Sequence, residues 1–316
     1  MAYCAGFQLV GNAMKILLLG KDGQVGWQLQ RSLAPHGEVV ACGRNECDLS
    51  DVAQIRSVIR TLKPSIIVNA TAYTAVDKAE SEPDLAGRIN ALAPGVMAEE
   101  AKLLGAMLVH YSTDYVYDGT KTTPYREADP TGPQSVYGQT KLAGEEAIRA
   151  AGGKSIIFRT SWVFGARGGN FVKTILRLAR EKESLNVVAD QVGSPTPAAL
   201  IATVSGVALA MLKHGRLLEP GENRLYHLAA AHPVSWCDFA RTIVGLAGRD
   251  SGFDLRLKPE AIKAISTAEY PTPARRPANS RLDCSKLEND FGLQMPDWQP
   301  YLERMLQLLA LKQNGY

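Results

Sequence analysis

Between residues 15 and 188 the chain repeats one pattern, a short and mostly apolar run followed by a longer stretch with helical periodicity. The runs fall at 15–19, 38–41, 65–69, 106–111, 155–158 and 185–188. The helical stretches lie near 25–34, 51–62, 84–104, 135–150 and 169–182. Apolar runs this short, without polar alternation, suit strands covered on both faces. Strand, helix, strand repeated along a chain gives parallel pairing with helices on both sides. The expectation is therefore an α/β fold, a doubly wound parallel sheet of Rossmann type. Such sheets take ligands at the carboxyl ends of their strands.

Past about residue 160 the pattern weakens. An apolar helix is expected at 198–213, a short strand at 225–229 and a Ser-capped helix at 235–245, while the proline-rich segment 270–280 reads as a rigid loop. The sequence thus divides into residues 14–160, a dinucleotide-binding half, and 161–316, a smaller substrate lobe with some segments returning to the sheet. Residues 1–13 do not continue the periodicity and read as an extension outside the fold.

Composition narrows the function. A net charge of +3 over 316 residues is too small to imply a nucleic-acid or membrane partner. The longest uncharged run, 191–212, is interrupted by Pro195 and Pro197 and is too short in its apolar part for a spanning helix. Five cysteines without a CxxC pair argue against a disulfide framework and for the cytoplasm. Five scattered histidines form no metal-binding spacing and read as packing or surface residues, so no metal is expected.

The chemistry-bearing residues sit at the strand ends. Gly20, Gly23 and Gly26 follow the first strand and open the first helix. There, backbone N–H groups approach a pyrophosphate and the last glycine lets helix and strand pack closely. The second strand ends in Gly43-Arg44 with no acid at its tip, and a basic residue there accommodates a ribose 2′-phosphate. The small residues of 69–74 suit either passage of a cofactor or plain packing. After the fourth strand comes Thr113, and 24 residues later Tyr137 and Lys141. Their i, i+4 spacing puts phenol and ammonium on one helical face. A neighbouring cation lowers the pKa of a phenol, which can then exchange a proton with a carbonyl oxygen while the Thr113 hydroxyl fixes that oxygen. Arg275 and Arg276 are candidates for pairing with a diphosphate, or for surface salt bridges.

Taken together, GKDGQVGWQLQ (20–30), NATAYTAVDKAE (69–80), STDYVYDG (112–119), YGQTKLAGE (137–145), FRTSWVFG (158–165), DQVGSPT (190–196) and RRPANSRLD (275–283) resemble the extended short-chain dehydrogenase/reductase family. The resemblance implies an NAD(P)H-dependent reductase of a dTDP-sugar with a 4-keto group, with Thr113, Tyr137 and Lys141 as the catalytic trio. It implies cofactor contacts from Gly23, Gln24, Val25, Asp48, Leu49, Ala72, Tyr73, Thr74, Tyr137 and Lys141, and substrate contacts from Thr113, Asp114 and Trp162. Many family members carry an acid near the end of the second strand. Gly43-Arg44 here favours NADPH, with NADH as the alternative. Another nucleotide-sugar 4-ketoreductase, a nucleotide-sugar epimerase and a non-catalytic regulatory subunit of methionine adenosyltransferase are the competing readings, and a homodimer is left open.

Overall fold

The computed structural model describes residues 14–213, 218–249 and 252–313, so the extension at 1–13 lies outside the described residues. Six parallel strands form the central sheet: β1 (Lys15–Leu19), β2 (Glu38–Cys42), β3 (Ile66–Asn69), β4 (Met107–Thr113), β5 (Lys154–Thr160) and β6 (Asn223–His227), in the order β6-β5-β4-β3-β1-β2. The chain winds outward from β1 to β2, then returns to lay β3 on β1's other side. This reversal opens the ligand crevice at the carboxyl ends of β1 and β3.

Alternation along each strand divides the core in two. Leu17, Leu19, Ile67, Leu108 and Ile157 face helices α2 (Val52–Leu62), α3 (Ala93–Leu104) and α4 (Val136–Ala151). Ile16, Leu18, Val68, Val109 and Ile156 face α1 (Gln24–Leu33), α5 (Phe171–Glu181) and α6 (Ala198–Lys213). Both faces are therefore apolar and covered, as the uninterrupted runs require.

Two expectations are corrected. Leu185–Val188 does not join the central sheet; it pairs in parallel with Ile262–Ile265 in a separate two-stranded sheet. The sixth place is taken by Asn223–His227, whose one-sided pairing with β5 makes it an edge strand. The helix expected at 84–104 is broken into Pro83–Gly87, a π-turn at Arg88–Leu92, and α3. Pro94 at the start of α3 has no N–H to give a preceding turn, and a π-turn accommodates such a defect. The π-turn delivers Asn90 inward. Its Oδ1 accepts from the Tyr73 backbone N–H at 2.8 Å, and its Nδ2 donates to the Tyr73 carbonyl at 3.2 Å.

Candidate active site

At the carboxyl edge of the sheet lies a cleft of about 520 Å³. Its wall includes Gly20, Gly23, Gln24 and Val25 from the turn after β1, then Arg44, Asp48 and Leu49 after β2. Ala72, Tyr73 and Thr74 contribute from the end of β3, and Tyr137 and Lys141 from α4. The glycine turn is forced by sterics. Gly20 has φ +89°, and a Cβ there would lie 2.8 Å from the Ala70 carbonyl oxygen. Gly26 is not on the wall; a Cβ on it would fall 2.0 Å from the Gly20 carbonyl oxygen, so this glycine serves close packing of α1. No side chain caps the start of α1, which leaves the first-turn N–H groups and the positive end of the helix dipole facing the cleft. A dinucleotide's pyrophosphate fits that cradle.

Asp48 folds the turn after β2, accepting from the backbone N–H and hydroxyl of Ser50 at 2.9 Å each, while the cap of α2 is Asp51. The Gly43 N–H donates to Glu46 Oε2 at 2.8 Å, and Glu46 in turn pairs with Lys21.

α4 begins at Ser135, whose hydroxyl accepts from the Gly138 N–H at 3.2 Å. From this helix Tyr137 and Lys141 both project as buried side chains. Thr113, at the last position of β4, donates to Asp114 Oδ1 at 2.9 Å and accepts from the Tyr115 N–H. The Tyr137 phenol comes within hydrogen-bonding reach of the same Thr113 oxygen. Burial pushes the phenol up to about 12 and the Asp114 carboxyl up to about 6. Tyr137 thus holds its proton at neutral pH, the form that a proton donor needs.

Lys141 departs from expectation. Its ammonium was to lower the Tyr137 pKa, yet its nitrogen is engaged by β4: it donates to the Tyr111 carbonyl at 2.6 Å and lies 3.1 Å from His110 Nε2. Burial lowers Lys141 to about 8, opposed by Glu145 one turn further along α4.

The remaining candidates do not join the cleft. Trp162, held at φ +46°, stacks on Trp236 with centroids 3.4 Å apart and 8° between planes, so an indole face expected to meet substrate is covered by a second indole. Arg276 donates to Asp77 Oδ2 at 2.8 Å, and Arg275 points into solvent; the two do not form one anion clamp. Sequence reasoning missed His110, read as a packing residue, as well as Asn90 and the wall positions Thr160, Val163 and Gly168. Among the described residues no group of His, Cys, Asp or Glu is arranged to hold a metal ion, and no helix is long and apolar enough to cross a membrane.

A glycine-turn cleft beside a Thr-Tyr-Lys set at the carboxyl edge of a parallel sheet defines a nicotinamide-dependent oxidoreductase. The comparisons are more specific. Residues 14–311 match the family described as the RmlD substrate binding domain, and the chain belongs to that family. It is 47% identical over 301 residues to dTDP-4-dehydrorhamnose reductase of Escherichia coli K12, covering 93% of this chain and 97% of the relative. The structure of the Bacillus anthracis dTDP-4-dehydrorhamnose reductase in complex with NADP superposes with TM-score 0.82 at 35% identity, covering 94% of this chain and 99% of that one. The Clostridium acetobutylicum orthologue gives 0.84 at 36% identity, with the same coverage.

Proposed function

We propose that this chain reduces the 4-keto group of dTDP-4-dehydrorhamnose with NADPH, giving dTDP-L-rhamnose for rhamnose-containing polysaccharide. The observation that carries the reading is Tyr137 and Lys141 on the wall of a cleft floored by the glycine turn, with Thr113 at the end of β4 within reach of the Tyr137 phenol. The family relation supplies the substrate.

The nicotinamide cofactor, when bound, supplies the hydride. The chain's own residues do the rest. The first turn of α1 and Gly23 would hold the cofactor's pyrophosphate, and Ala72, Tyr73 and Thr74, with the backbone that Asn90 clamps, would leave room for the cofactor beside them. Lys141 lies on the cleft wall and would hold the nicotinamide ribose hydroxyls on turning from the Tyr111 carbonyl. Tyr137, protonated at neutral pH, gives its proton to the developing alkoxide at C4, and Thr113 fixes that oxygen by a hydrogen bond. In the structure the Thr113 hydrogen is given to Asp114 Oδ1, and turning it from there to the substrate oxygen would complete that hydrogen bond. Residues 14–160 form the dinucleotide half and 161–316 the substrate lobe, with β6 returned to the sheet; there Arg275 remains available to the diphosphate while Arg276 is committed to Asp77. The unpaired Cys42, Cys47, Cys237 and Cys284 support a reducing compartment, the cytoplasm.

The test is oxidation of NADPH with substrate made from dTDP-glucose by the upstream dehydratase and epimerase. Reduced cofactor is expected to disappear in stoichiometric amount; an epimerase of this fold would leave it unspent, and no oxidation would end the proposal. A second prediction concerns Arg44 on the cleft wall. The kcat/KM for NADPH is expected to exceed that for NADH, and Arg44→Asp to narrow or invert the ratio. Equal use of both cofactors by the unmutated protein would remove Arg44 from that role.

A further inference from the structure

His110 is fully buried on β4, beside Asn69 in the register of β3 and β4. Its two ring nitrogens have different neighbours, and these decide where its proton sits. Asn69 Oδ1 accepts both the backbone N–H and the hydroxyl of Thr71, which fixes the orientation of the amide. Asn69 Nδ2 therefore faces His110 Nδ1, at 3.1 Å, with a hydrogen to donate. Nδ1 must accept, so the proton of the neutral ring is on Nε2. That N–H points at Lys141 Nζ, 3.1 Å away. Two N–H groups cannot donate to each other, so a hydrogen bond here is open only to the amine form of Lys141, whose own hydrogen goes to the Tyr111 carbonyl.

We propose that His110, locked by Asn69 as the Nε2–H tautomer, is a positioning residue that offers Lys141 a donor where its ammonium would need an acceptor, and so lowers the pH at which Lys141 gives up its charge. The inference rests on the role assigned to Lys141 above. Burial holds His110 well below its ordinary pKa and brings Lys141 to about 8, both in the direction the hydrogen bonds demand. The other groups around Lys141 do not supply this control. On α4, Tyr137 precedes it and Glu145 follows it. Glu145 favours the charged form, and its carboxylate is taken by Arg159 of β5 and Ser112 of β4. The Tyr111 phenol is tied to Ser205, Asp114 to Thr113, and Asn69 of β3 carries no charge.

Asn69→Asp is the near-isosteric test. One carboxylate oxygen can keep the Thr71 contacts while the other accepts from Nδ1–H, which turns the tautomer over and makes Nε2 an acceptor for a lysine ammonium. The readout is two-bond ¹H–¹⁵N correlation of the histidine rings in the full chain without cofactor, with His110 assigned by its loss in His110→Gln or its shift in Asn69→Asp. The unmutated protein is expected to show Nε2–H, and Asn69→Asp to show Nδ1–H or the doubly protonated ring. In Asn69→Asp the alkaline limb of NADPH binding against pH is expected to rise by about one unit, because the charged lysine gains an acceptor. Nδ1–H in the unmutated protein, or an unmoved limb in Asn69→Asp, would overturn the proposal. Both readouts are independent of turnover, so a protein that failed to reduce the sugar would refute the proposed function while leaving the tautomer assignment to stand or fall by itself.

Discussion

Tyr137→Phe is expected to lower kcat by about 10²- to 10⁴-fold, the range that loss of a positioned proton donor costs, with affinity for NADPH nearly unchanged. The ring stays, and with it the edge-on contact to Tyr115 at 5.4 Å and the packing against Ala79 and Ala86; only the hydroxyl beside Thr113 is lost. A fall in kcat and kcat/KM together would mark an interaction made in the transition state. Steady-state kinetics with a separate cofactor titration distinguishes this from damage to the cleft. Near-normal turnover would mean that the proton comes from elsewhere.

The largest effect on stability is expected at Glu145. Its carboxylate is fully buried and accepts from Arg159 Nε at 2.9 Å and Nη2 at 2.6 Å, and from the Ser112 hydroxyl at 2.6 Å. Arg159 is itself buried and also donates to the Tyr117 phenol at 2.6 Å. Glu145→Ala would leave a guanidinium uncompensated in the interior, which costs about 3–5 kcal/mol. For a chain of this size that is a fall of roughly 5–8 °C in the unfolding midpoint. Replacing both partners, Glu145→Leu with Arg159→Leu, is expected to recover much of the loss, because no charge is then left buried. Calorimetry of the single and double variants checks this. A single variant melting with the unmutated protein would show that the pair does not hold α4 to the sheet.

The parts of this molecule that the sequence discloses are those where local chemistry decides. The run Ile16–Leu19 has to be covered on both faces, Gly20 and Gly26 sit where a Cβ would strike backbone, and the 3.6-residue period alone puts Tyr137 and Lys141 together. Where distant partners decide, the sequence is mute. Leu185–Val188 looks as apolar as a central strand, and only its partner at 262–265 keeps it out of the sheet. A short strand at 225–229 is legible, but only pairing with β5 sets its bounds at Asn223–His227 and makes it the edge of the central sheet. The same holds within the site. Trp162 reads as a free apolar face until α7 (Trp236–Ala247) brings Trp236 onto it. His110 reads as a packing residue until strand register and α4 bring Asn69 and Lys141 to its two nitrogens.

The central claim is that hydride passes to C4 of the sugar while Tyr137 protonates its oxygen. The most direct measurement carries deuterium on the transferring position of NADPH, adds the 4-keto sugar nucleotide, and reads the product by proton NMR. The account predicts dTDP-L-rhamnose with deuterium at C4 and one equivalent of oxidised cofactor for each sugar. Product lacking deuterium at C4, or a sugar changed at another centre with the cofactor unspent, would contradict it.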